Sequence, residues 1–93
     1  MTIGLLTVEL FLPSSGSLKD KRMVLRRLKD RLKAANVSVA EVAHQELWQR
    51  AGLAVVAVSS DHSVVEGMLA SALEAIERLE PDSVTTSQVE YLN

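Results

Sequence analysis

The chain has 93 residues, no cysteine and a formal net charge of −2, with 47% hydrophobic and 24% charged residues. A length of this order makes one domain, residues 1–93, that folds without staples, and the missing cysteines exclude disulfides, thiolate chemistry and sulfur-ligated zinc. The longest nearly apolar run, Leu53 to Val58, falls far short of the ~20 residues a bilayer requires, and the N-terminus lacks a signal-peptide pattern, so a cytoplasmic protein is expected.

Ile3 to Leu12 is apolar at every second position, with Leu6, Val8, Leu10 and Leu12 on one phase and Thr7 and Glu9 on the other, the period of a strand with one covered face. Pro13, Ser14, Ser15 and Gly16 break it. Ser17 stands three residues before Asp20, a near relative of the capping box, and a helix is predicted from Leu18 to about Ala35. On a 3.6-residue wheel Leu18, Leu25, Leu28, Leu32 and Ala35 form the stripe that presses on a sheet.

Val37 to Ala43 alternates as a second strand, and Leu53 to Ser59 reads as a valine-rich third strand buried on both faces near the sheet centre. Ser60, Asp61 and Ser63 are cap candidates for a second amphipathic helix running to about Glu80, where Pro81 stops it. Ser83 to Leu92 is β-favouring but polar on much of both faces, as edge strands are. The order βαββαβ predicts an α+β, ferredoxin-like fold: a four-stranded antiparallel sheet with two helices on one face and the other face open.

Charge is strongly divided along the chain. Ser17 to Lys33 carries +6, eight basic side chains less Asp20 and Asp30, whereas Ala34 to Asn93 carries −7, nine carboxylates against Arg50 and Arg78. Lys19, Arg22, Arg26, Lys29 and Lys33 fall within about 80° of the helical wheel, with Asp20, Asp30, Arg27 and Arg31 placed to the far side. The result is a cationic ridge about 25 Å long, able to follow several phosphates; the alternative is a solvated face or one matched to an acidic helix.

Lys21 is anomalous, because its angle places it on the buried stripe beside Leu18, Leu25 and Leu32. Its stem is expected to pack while the ammonium reaches water past Pro13 and Gly16; phosphate binding with the Ser14–Ser17 loop, or a nucleophilic role, are alternatives. Trp48 and Arg50, in the connection between the second and third strands, are candidate partner anchors unless the tryptophan folds back over the core. Phe11 and Tyr91 could lie on adjacent strands, but the RNP signature is absent and base stacking on the sheet is a minor alternative. Glu9, Glu41 and Glu90 are expected on one side of the sheet, and with His44 and His62 they lack metal-ligand spacing. No cofactor, metal site or catalytic residue is assigned.

The segments SLKDKRMVLRRLKDRLK (Ser17 to Lys33), VSVAEV (Val37 to Val42), LWQRA (Leu47 to Ala51) and VSSD (Val58 to Asp61) together resemble the small bacterial YlxP-like family, over most of the chain and in matching order. The resemblance implies a ferredoxin-like fold, no assigned catalytic residues and a connection with RNA biology, since members are commonly encoded beside transcription-elongation and translation-initiation genes. The functional expectation is a noncatalytic accessory protein that docks on RNA or a ribonucleoprotein through Lys19, Arg22, Arg26, Lys29 and Lys33. The alternative is a dimeric interaction or regulatory module without nucleic-acid binding. Apolar residues on the second phase of the first strand, Ile3, Leu5 and Phe11, favour a homodimer through the open sheet face.

Overall fold

A computed structural model describes residues 1–92. Strand β1 (Thr2–Phe11), helix α1 (Leu18–Lys33), β2 (Ser38–Ala43), β3 (Arg50–Ser59), helix α2 (His62–Leu79) and β4 (Val84–Leu92) follow in that order. The four strands form one antiparallel sheet in the order β2-β3-β1-β4, so β2 and β4 are its edges. This is the ferredoxin-like βαββαβ arrangement expected from the pattern of periods.

The two phases of β1 sort as the alternation requires. Leu6, Val8 and Leu10 are fully buried beneath the helices with Leu53, Val55 and Ala57 of β3, and Leu25, Leu28, Leu32, Val65, Leu69 and Ile76 close the layer from above. Gly4 continues that phase at the point where α2 comes nearest. A Cβ there would lie 2.6 Å from Val65 Cγ1 and 2.8 Å from Leu69 Cδ1, so only glycine lets the helix seat this deeply.

Helix α1 starts where the cap pattern places it: the Ser17 hydroxyl accepts from the Asp20 amide (3.0 Å), and the Asp20 carboxylate accepts from the Gly16 amide (3.0 Å). Helix α2 is capped by Asp61 rather than Ser63; the Asp61 carboxylate accepts from both the amide and the hydroxyl of Ser63, each at 2.9 Å. Those bonds hold the Asp61 carboxyl below its ordinary value, the Ser63 hydroxyl contributing most and the backbone amides next.

Three expectations change. β3 begins at Arg50, three residues before the predicted Leu53, because its pairing with β1 continues through Ala51↔Leu10 to Arg50↔Phe11. It is covered on one face only: Val56 and Val58 are exposed, 37% and 57%, since both helices lie on the other side. And Glu9, Glu41 and Glu90 do not share a face. Glu9 and Glu90 lie on the open phase, Glu90 opposite Leu5, whereas Glu41 pairs with buried Leu53 and therefore faces the helices.

Candidate functional site

The cationic residues of α1 overhang the edge strand β2. Because the wheel angles of Lys29 and Arg22 adjoin the Leu25 stripe, the ridge does not stand out on top of the helix but leans over the groove between helix and strand. A cleft of about 640 Å³ results, with Arg22, Arg26, Lys29 and Lys33 on one wall and Val37, Ser38 and Val39 on the other. Lys19 lies one turn N-terminal of Arg22 and Met23, and is exposed.

Among the described residues none of Lys19, Arg22, Arg26, Lys29 and Lys33 forms an ion pair. The contrast with their neighbours is informative. Arg27, on the other side of α1, pairs with Glu80 at the end of α2, and Arg78 pairs with Glu74 one turn earlier at 2.7 Å. Glu80 and Glu74 are thus engaged by Arg27 and Arg78, on the side away from the ridge, and no carboxylate of α2 pairs with the five ridge cations. Asp30 is not on the far side as expected: its wheel angle is about 20° from that of Lys19, so it borders the ridge, and it lines the same cleft. Its carboxylate reduces the local positive charge without closing an ion pair.

Lys21 is the largest correction. Its side chain is 2% exposed and its ammonium does not reach water past Pro13 and Gly16. Nζ instead donates to the carbonyl oxygens of His44 (2.8 Å), Arg50 (3.2 Å) and Gln45 (3.3 Å), and Glu41 Oε2 lies 2.8 Å away. An ammonium has three protons, so the three carbonyls take the directed bonds and Glu41, one-fifth exposed and outside hydrogen-bond alignment, balances the charge. With every donor occupied and the charge paired, Lys21 is a structural tie and is poorly placed for nucleophilic or phosphate chemistry.

That tie holds the segment carrying Trp48. The three carbonyls bracket the connection between β2 and β3, whose turn is reinforced by the Leu47 amide donating to the His44 carbonyl (3.0 Å) and by Gln49 Nε2 donating to the Pro13 carbonyl (3.1 Å). His44 has φ 62°, a left-handed conformation that histidine tolerates better than β-branched residues. Its carbonyl meets Lys21 on the helix side while its ring Nε2 lies 3.1 Å from Glu9 Oε2, which belongs to the open phase. Trp48 does not fold back over the core. It is 54% exposed, with Leu47 beside it and Arg50 exposed at the start of β3.

The remaining aromatic residues divide. Phe11 is on the open phase, but Tyr91 pairs with Gly4 on the helix phase and packs against His62, ring centroids 4.4 Å apart. They occupy neighbouring strands and opposite faces, so the open sheet has no aromatic pair for base stacking. Among the described residues no three His, Cys, Asp or Glu side chains cluster as metal ligands would, and no helix is long and apolar enough to cross a membrane.

Sequence periodicity located one wall of the cleft and missed the other. Val37, Ser38 and Val39 carry no functional signal in the sequence, because only packing places β2 beneath α1. The angle of Lys21 among leucines signalled that its stem packs; the four oxygens that enclose its ammonium, twenty or more positions away, left no local trace.

The fold and the arrangement of charge define a small ferredoxin-like protein without assigned chemistry, bearing a cationic cleft at a sheet edge. The chain belongs to the family described as "Protein of unknown function (DUF503)", which matches residues 3–89. It is 34% identical over 90 residues to the uncharacterized protein YlxP of Bacillus subtilis, covering 96% of this chain and 98% of that one. Among solved structures it is similar to the de novo designed protein Foldit4, with a TM-score of 0.58 and 13% identity over 99% of this chain and 96% of that one. SnoaB, a cofactor-independent oxygenase from Streptomyces nogalater, gives 0.54 and 14% over 99% and 91%. At such identities these two structures report the shared fold alone.

Proposed function

We propose that the protein is a noncatalytic cytoplasmic accessory protein that docks on structured RNA or a ribonucleoprotein through the α1–β2 cleft. The observation that carries this reading is the set of five cations on α1 with no carboxylate paired to any of them among the described residues, four of them lining one groove. Four cations held around one groove, with Asp30 the one carboxylate there, among the described residues, not bound to Lys21, leave a positive excess that is unfavourable in the isolated protein and becomes favourable when a polyanion releases its own counter-ions on binding.

The chemistry of the cleft selects a phosphate backbone over bases. No aromatic side chain lines it, so stacking contributes nothing there, whereas Arg22 and Arg26 supply forked donors and Lys29 and Lys33 supply point charges. The remainder of the chain, at −7 from Ala34 onward, repels the same ligand and so restricts it to one orientation. Trp48 and Arg50, presented by the connection that Lys21 ties down, form a second contact point for a protein component of a ribonucleoprotein.

The test is binding of a hairpin RNA across a salt series. With four or five phosphates engaged, log K should fall with log salt at a slope of about −3.5 to −4.5, and replacing Arg22, Arg26 and Lys29 by alanine should flatten it by about 2.5 while the circular dichroism stays unchanged. A slope near zero for the unaltered protein overturns the reading.

A further inference from the structure

The helices cover one face of the sheet; the other face is apolar at the end where β1 begins and polar along most of β4, where Thr86, Gln88 and Glu90 lie on it. Val56, Val58 and Leu92 are exposed there by 37 to 57%, with Ile3 and Leu5 between them near the start of β1, while Val42 is exposed at the other end of the face, beside Gly52. Ile3, Leu5, Val56, Val58 and Leu92 come from three neighbouring strands and form one continuous apolar cluster. The open face as a whole, polar residues included, spans roughly 26 by 19 Å from Ile3 to Phe11 along β1 and from β2 to β4 across the sheet, about 500 Å² before side-chain relief is added.

We infer that this open face is the contact surface between two copies of the chain, packed sheet against sheet. Area supports that occupant: side-chain relief brings the face as a whole to the ~600–800 Å² per partner that small stable interfaces bury, with the exposed cluster of Val56, Val58 and Leu92 as the apolar part that pairing would remove from water. Its chemistry disfavours nucleic acid, because Glu9 and Glu90 lie on it, Phe11 is its single aromatic residue and the cations of α1 are on the far side. Its polar residues suit a like surface. Glu9 is held by the His44 ring at 3.1 Å, and Arg50, exposed on the same face, offers a cation to a carboxylate of the facing copy.

The consequence reaches the cleft, although the inference does not rest on the RNA reading. In a sheet-to-sheet pair the helices lie outermost, and two sheets ~10 Å apart with a helix layer ~10 Å beyond each place the two cationic ridges roughly 30 Å apart on opposite sides. Such a dimer joins two polyanion segments; it cannot clamp one between its ridges.

Sedimentation equilibrium of the full chain from low micromolar concentration upward decides the matter. A reversible dimer is expected, and Val56→Asp or Leu92→Asp should each raise its dissociation constant about ten-fold or more with unchanged circular dichroism. Leu92 lies on an edge strand, so its substitution keeps the test valid should Val56→Asp unfold the protein. A monomer at every concentration overturns the inference, as does a dimer indifferent to both substitutions. A monomeric variant retaining the full RNA salt slope is expected and leaves the cleft reading standing by itself; a firm dimer with no RNA affinity sinks only the cleft reading.

Discussion

Lys21 on α1 and Glu41 on β2 meet at 2.8 Å, the ammonium buried and the carboxylate at the floor of the cationic cleft. The pair joins helix to edge strand at the place where the backbone leaves β2, and the carbonyls of His44, Gln45 and Arg50 complete the shell around Nζ. Removing one partner of a buried pair leaves the other desolvated and unmatched.

Lys21→Met should therefore destabilise the protein by about 3 kcal/mol, seen as a lower urea midpoint with little change in slope. Glu41→Gln should cost less, because the three carbonyls still satisfy the ammonium and the Glu41 site already touches water. Equal losses for the two variants would contradict the assignment of the directed bonds to the carbonyls.

Trp48→Ala should leave stability within about 0.5 kcal/mol, because the indole is half exposed and packs against no buried cluster. The tryptophan emission should be that of a solvated indole and open to iodide quenching. A strongly blue-shifted spectrum would place the ring in the core instead.

Gly4→Ala should destabilise by about 1–3 kcal/mol, since the added methyl would sit 2.6 Å from Val65 and 2.8 Å from Leu69 and α2 must shift outward to admit it. Thermal unfolding measures this directly. The same substitution at Gly67, where nothing lies within 4 Å and the helix gains propensity, should be neutral or stabilising.

Asp61 gives a pH dependence with a definite sign. Its carboxyl titrates below its ordinary value of 3.8, so its contribution to α2 is complete above that value and disappears as the pH falls through the lowered one. Asp61→Ala should lower the melting temperature at neutral pH and lose its effect in acid, where the parent cap is protonated too. A difference that persists unchanged at low pH would show that the carboxylate charge is not what caps the helix.

Arg27→Ala separates the two sides of α1. Arg27 is engaged by Glu80, so this variant should keep the RNA salt slope that Arg22→Ala or Arg26→Ala reduces by about 1 each. Equal reductions at all three positions would show that general charge, and not the cleft, sets the affinity.

Alternation, helical period and caps were sufficient to place all six elements, because each such signal lies within a few neighbouring residues; the angle of Lys21 gave the packing of its stem but not the enclosure of its ammonium. The errors fell where strand register decides. Glu41 faces the helices because it pairs with Leu53, and the irregularity before Ala43, pressed against Gly52, changes the pairing that follows. Tyr91 and Phe11 were correctly placed on neighbouring strands but lie on opposite faces, for the same reason.

What the sequence by itself determined is therefore the order of elements, the ferredoxin-like arrangement and the concentration of positive charge on one side of α1. Tertiary structure alone decided that this charge overhangs β2 to make a cleft, that Lys21 is enclosed by four oxygens and that Trp48 is held outward. The physical reason is range: periodicity and capping are encoded by residues a turn or a strand step apart, whereas a cleft wall or an ammonium shell is assembled from backbone groups that become neighbours only when helix and sheet pack.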